Sequence, residues 1–224
     1  MSISFFDAIK QGNHYEVERQ LIFNPSLIRD KEDGLSPVMV AAYHGQQEIA
    51  AFLAGKAVAL TVFEAAAIGK ISSIVRLLAR NPQLVSAYSE DGFQALGLAC
   101  YFGHFEVAEY LVKAGAPLNS VSHNQLKAAP IQSATAAGHE KIVKMLLVNG
   151  ADPNVREGCG YTPLHAAAQN GDEAMIRTLL YGGADLSLKG NDGKLPLDLA
   201  QEAGHAAAVK LFEEGITKRF KSKW

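Results

Sequence analysis

Seven histidines and two cysteines are the side chains of this 224-residue chain best suited to chemistry. Imidazoles ligate metals or act as general bases, and a thiolate paired with an imidazole is a nucleophile. Spacing argues against each use. No two histidines stand three or four positions apart on one helical face, and no carboxylate or cysteine cluster joins them, so no metal site is expected. Cys100 precedes His104 and Cys159 precedes His165. Cys100 lies in an alanine-rich segment where a small buried residue is wanted, and Cys159, between Gly158 and Gly160, reads as an unactivated thiol in a turn. No Gly-x-x-x-x-Gly-Lys stretch is present, and Gly182-Gly183 and Gly190-Asn191-Asp192-Gly193 read as turns rather than a nucleotide cradle. An enzyme would need an acid–base or metal constellation that cannot be assembled here, and no cofactor is expected.

Bulk properties narrow the partner classes. With 21 basic and 23 acidic residues the net charge is −2, so no overall field attracts nucleic acid or acidic membrane. The cysteines are too few and too distant for a disulfide framework, which fits a reducing compartment. The N-terminus has no basic stretch followed by a long apolar one, and the most apolar segment, residues 49–68, is interrupted by Gly55, Lys56 and Glu64. A cytoplasmic, monomeric protein is expected.

The elements that must position these residues are set by seven glycines, Gly12, Gly45, Gly69, Gly103, Gly138, Gly171 and Gly204, separated by 33, 24, 34, 35, 33 and 33 residues. A period near 33 signals a solenoid. After the glycines, apolar residues return at offsets of four, five, eight and nine: Ile142, Val143, Leu146 and Leu147 after Gly138, and Met175, Ile176, Leu179 and Leu180 after Gly171. Val107, Ala108, Leu111 and Val112 follow Gly103 in the same way, as do Ile49, Ala50, Leu53 and Ala54 after Gly45. Such offsets form one stripe on a helix of about 3.6 residues per turn. A shorter alanine-rich segment, such as residues 162–169, precedes each glycine. Each unit is therefore a short helix, a glycine turn that accepts left-handed backbone, and a second helix.

Thr162-Pro163-Leu164-His165-Ala166-Ala167-Ala168, followed by Gly171, Leu179-Leu180 and Gly183-Ala184-Asp185, closely resembles the ankyrin repeat. Weaker copies are Ser36-Pro37-Val38-Met39, Ala129-Pro130-Ile131-Gln132 and Leu195-Pro196-Leu197-Asp198, with proline at the first turn of the first helix, where its missing N–H is harmless. The resemblance covers nearly the whole chain. It implies an all-α solenoid of stacked helix-turn-helix units with short β-hairpin or loop connections: a single domain, 1–216, in seven units (about 1–31, 32–60, 61–88, 89–119, 120–154, 155–188 and 189–216), the end units acting as caps. It also makes His104, His139, His205 and His165 structural, the first three bonding at the start of the second helix. Between Gly45 and Gly69 about nine residues are missing, which corresponds to the projecting turn and predicts a gap in the row of hairpins. Asn24-Pro25-Ser26-Leu27 and Asn81-Pro82-Gln83-Leu84 read as a longer exit, and Lys127 stands where the fifth unit's turn glycine belongs, predicting a distorted loop over 120–127.

The resemblance further places the partner-facing positions at the hairpin tips and the ends of the first helices. These are Asp33, Leu35, Tyr43 and His44 in unit two and Glu90, Asp91, Phe93, Tyr101 and Phe102 in unit four. Unit six supplies Tyr161, Gln169 and Asn170, and unit seven Asn191, Asp192, Lys194 and Glu202. Tyr43, Phe93, Tyr101, Phe102 and Tyr161 are the expected anchors, because aromatic rings bury much area with few rotors. The acidic residues would favour a partner with basic groups. Recognition of another protein through a concave face, with no catalysis, is the expected function. The alternative is an adaptor that docks on nucleic acid or lipid headgroups through the tail 217–224, which holds four cations and two aromatics.

Overall fold

The computed structural model describes residues 3–57 and 59–217, with side chains for 3–57 and 59–213. Its helices form seven consecutive pairs: α1 (Phe5–Lys10) with α2 (His14–Phe23), α3 (Pro37–Tyr43) with α4 (Gln47–Lys56), and α5 (Val62–Ala67) with α6 (Ile71–Arg80). There follow α7 (Ala95–Tyr101) with α8 (Phe105–Lys113) and α9 (Pro130–Ala136) with α10 (Glu140–Val148). The last are α11 (Pro163–Asn170) with α12 (Glu173–Tyr181) and α13 (Pro196–Glu202) with α14 (Ala206–Thr217). First helices pack side by side from α1 through α13, and second helices do so from α6 through α14. The fold is an all-α solenoid. No strand occurs among the described residues, and the hairpin tips are turns closed by single bridges, Glu32 with Leu35 and Tyr88 with Gln94. No helix among the described residues is long and apolar enough to cross a membrane. The basic tail falls outside the described residues beyond Thr217, where α14 ends.

Both exits with Asn-Pro become single 3₁₀ turns, Pro25–Arg29 and Pro82–Ser86, each capped by the Asn side chain. Lys127 adopts φ +48°, the left-handed conformation that the missing glycine would have held. The stripes point inward: Ile142, Val143, Leu146, Met175, Ile176 and Leu179 are buried. Each such side chain stabilises the stack by about 1.5–3 kcal/mol relative to remaining in water.

The period glycines have a second role that the sequence reading did not contain. His104 Nε2 donates to Ala67 O (2.9 Å), His139 Nε2 to Tyr101 O (3.0 Å) and His205 Nε2 to Gln169 O (3.1 Å). The resemblance implied that these imidazoles bond at the start of their own second helix; instead they reach back and satisfy a carbonyl at the end of the preceding unit's first helix. To do so each ring lies on the preceding unit's glycine; an added Cβ would stand 2.6 Å from the ring over Gly69, 2.5 Å over Gly103 and 2.6 Å over Gly171. Gln46 does the same over Gly12, donating to Lys10 O (3.2 Å). Left-handed backbone and close approach thus demand glycine twice over.

A further internal series lies at the third residue of four of the first helices, α5, α9, α11 and α13. Glu64, Gln132, His165 and Asp198 each accept the backbone N–H of the residue before their helix, at 2.7, 2.8, 3.1 and 2.7 Å. His165 is fully buried, and its Nε2 donates to Lys194 O (3.1 Å). Since its Nδ1 accepts, the ring is neutral, and burial holds its pKa below the ordinary histidine value. A depressed histidine pKa makes the fold most stable above the unfolded value of about 6.5, with stability lost as pH falls below it because the unfolded chain takes up the proton. His165→Gln is expected to keep both bonds, as Gln132 does in unit five. The loss of unfolding free energy between pH 7.5 and 5.5 in urea titrations is expected to be smaller in this variant than in the parent. Equal losses would remove His165 from the pH response.

The buried side chains form two clusters, one through units one and two and a larger one that starts at Met39 and Ala42 and runs to Phe212. They meet where the hairpin is missing, at Leu35, Leu60 and Ile68, which pack against both.

Candidate partner-binding site

The missing hairpin leaves a notch of about 320 Å³ between the tips of units two and four, lined by Leu35, Met39, Phe63 and Tyr88 among others. Three polar ties cross from unit two and the residue just before it. Ser36 Oγ donates to Glu64 Oε1 (2.6 Å), Lys31 pairs with Glu90, and Tyr43 Oη donates to Asp91 Oδ2 (2.6 Å). Burial, then the bond to Asp91, raises the Tyr43 hydroxyl pKa far above its usual value, so this tie stays protonated.

Beside the Tyr43–Asp91 tie lies a second hollow of about 290 Å³ between the first helices of units four and five. Tyr43, Phe93 and Tyr101 supply its aromatic lining. α7 adds Gly97 and Leu98, and α9 adds Gln132, Ser133 and Ala136. The loop that lacks its glycine adds Leu126, and the next tip adds Glu157. Leu126 is 58% exposed and Tyr101 46% exposed, whereas the helix stripes are buried, so this face presents large apolar groups together. The elements explain the placement. Tyr101 ends α7, Tyr43 ends α3, and Phe93 follows the left-handed Gly92 at the tip, where Ser89 Oγ holds the loop through Phe93 N–H and O.

The structure brings Tyr43, Asp91, Phe93 and Tyr101 together. Two other rings are placed differently. Phe102 packs against Tyr43 and Tyr101 (centroids 5.4 and 5.1 Å) but lines another hollow, with Gly45 and Ile68. Tyr161 stacks on His165 (4.8 Å, 5° between planes) and donates to Asp192 Oδ2 (2.7 Å), a bond that raises its pKa to about 12; its ring lies over Gly190. It ties unit six to unit seven. Asp33, His44 and Glu90 are exposed around units two and four, with Leu35 half-buried against the core, and Asp33 is left-handed at φ +51°. Gln169 and Asn170 are exposed at the end of α11, where Asn170 donates to Ala136 O (3.4 Å). Asn191 donates to Gly158 O (3.3 Å), and Lys194 pairs with Glu202 (2.6 Å). Cys100 is buried and its thiol pKa pushed up by burial; Cys159 is exposed and bonded to Glu157 Oε1 (3.0 Å). Leu126 and Gly97 were missed. An exposed leucine in a loop and a glycine in a helix were the available signals.

A family model for ankyrin repeats in three copies matches residues 131–221, and one for the single ankyrin repeat matches residues 91–123, together more than half of the sequence. The chain belongs to the ankyrin repeat family. Ankyrin repeats are protein–protein interaction modules and generally not enzymes. Over 178 residues, 72% of this chain, the ankyrin array is 29% identical to the target of rapamycin complex 2 subunit AVO2 of Saccharomyces cerevisiae. Over 99 residues, 40% of the chain, it is 32% identical to a putative ankyrin repeat-containing protein of Treponema pallidum, and over 93 residues, also 40% of the chain, it is 32% identical to the ankyrin repeat and KH domain-containing protein mask of Drosophila melanogaster. The matches span 41%, 33% and 2% of those proteins' own lengths, respectively.

Proposed function

We propose that this chain binds another protein through the concave face formed by its first helices and hairpin tips, with the hollow between units four and five as the centre. The observation that carries this reading is the convergence of Tyr43, Phe93, Tyr101 and exposed Leu126 on one hollow. A preformed surface loses little ordering entropy on association. The yeast relative is by name a subunit of a complex, which supports a place for this chain within a larger assembly.

Affinity capture from a lysate of the source organism, read by mass spectrometry, tests the placement. A Phe93→Ala/Tyr101→Ala variant is expected to retain its helical circular dichroism and to bind the captured protein about 30-fold or more weakly, as removal of aromatic anchors worth 2 kcal/mol or more implies. Undiminished binding would move the site away from this face.

A further inference from the structure

Resting on that reading, the geometry points to a specific occupant of the hollow. We infer that the space above Gly97 receives one large apolar side chain of an extended partner segment, and that the segment's residues toward unit two are lysine or arginine.

The hollow exists because of one absent side chain. At the third position of the first helix, units three, five, six and seven carry Glu64, Gln132, His165 and Asp198, which turn back to close the helix start. Unit four carries Gly97. It is buried and helical, yet a Cβ built on it would meet nothing within 4 Å. Glycine inside a helix weakens it, so this residue stabilises nothing locally. What it leaves is open space, walled by Tyr43, Phe93, Leu98 and Leu126.

The lining selects for an apolar occupant. Its walls are mostly apolar, and several of its polar groups are engaged: the Tyr43 hydroxyl by Asp91, Gln132 by Ala129 N–H, Val155 O and Tyr161 O, and one Glu157 oxygen by the Cys159 thiol. A cavity of about 150 Å³ is enough for a benzene ring. The 290 Å³ here has room for one phenylalanine, tryptophan or leucine side chain with its neighbouring backbone, and not for a folded element.

Charge orients the segment. The tips of units two and four expose Asp30, Asp33 and Glu90, with half-buried Glu32 and Asp91, against Arg29 and Lys31; Lys31 pairs with Glu90 and Lys10 with Glu32, which leaves an acidic excess. The hairpin tips of units five to seven, residues 120–128, 154–162 and 187–195, present Lys127, Arg156, Lys189 and Lys194 against Glu157 and Asp192, and Asp152 and Asp185 stand in the loops behind them. The Gly97 hollow lies where the acidic tips give way to the basic ones. A segment with cations on the unit-two side and none on the other is matched, and the reverse arrangement is opposed at both ends.

Random fifteen-residue peptides displayed on phage are selected on the full chain and counter-selected on Gly97→Gln, with affinities of synthetic peptides read by fluorescence anisotropy. The variant copies what unit five has, fills the hollow and replaces a helical glycine. It is therefore expected to melt at or above the parent temperature; Gly97→Leu, an apolar filling, is the second variant. Selected peptides are expected to carry one large apolar residue with lysine or arginine on one side, to bind both variants at least about tenfold more weakly, and to weaken likewise when the cations are replaced by glutamate. No peptide that prefers the parent over both variants overturns the inference, and so do preferred peptides with acidic flanks or without a large apolar residue. Peptides weakened by Phe93→Ala/Tyr101→Ala but indifferent to both Gly97 variants would sink the hollow and leave the concave-face reading standing. Indifference to all three would sink both.

Discussion

Leu111→Ala is expected to lower the free energy of unfolding by about 2–5 kcal/mol, the range for deleting a buried leucine and leaving a cavity. Leu111 is fully buried on α8, which packs against α6, α7 and α10. In a solenoid each unit is held mainly by its neighbours, so a weakened fourth unit separates the units before it from those after it. Urea titration followed by circular dichroism is expected to show a lower midpoint and a broader transition. Leu126→Ala is the contrast: the side chain is 58% exposed, and about 0.5 kcal/mol or less should be lost. A cost below about 1 kcal/mol for Leu111→Ala would contradict a continuous core through unit four.

Gly103→Ala is expected to cost about 2–4 kcal/mol, a sum of left-handed strain and a displaced hydrogen bond. The residue has φ +78°, and an added Cβ would stand 2.5 Å from His139 Cε1 and 2.8 Å from Nε2, the atom that donates to Tyr101 O. The backbone term can be separated from the contact. Gly138 has nearly the same conformation, φ +76°, but nothing within 4 Å of an added Cβ, because the next unit carries Asp172 in place of the histidine and uses it to cap its own helix. Gly138→Ala should therefore show the strain alone, and the two variants should differ by about 1 kcal/mol or more in chemical denaturation. Equal costs would mean that the imidazole moves aside freely and does not tie the units.

Periodic features were the most legible in the sequence. The glycine spacing, the apolar offsets and the Pro at the first helical position marked the helix pairs, because each reports a local constraint: backbone handedness, helical period and a missing N–H. The shortened spacing between Gly45 and Gly69 marked the missing hairpin, and Lys127 in a glycine's place marked a residue at positive φ. The candidate site was legible only in part. Tyr43, Phe93 and Tyr101 stood out as aromatics at positions the ankyrin resemblance turns outward, but Phe102 and Tyr161 carried the same signal and are engaged in packing. Gly97 reads in sequence as a poor helix residue and nothing more.

The sequence by itself determined that this is a stack of helix pairs, where one pair lacks its hairpin, and which residues face the core, since repeats fold by contacts between near neighbours whose spacing is written in the chain. Only the tertiary structure decided that three histidines tie units four, five and seven to the unit before, that Tyr43 crosses to Asp91 over the missing hairpin, and that Gly97 opens a hollow walled by residues from units two, four, five and six. The physical reason is that a hollow is defined by what surrounds an absent side chain. Those walls come from segments far apart in sequence, and no local pattern shows where they meet.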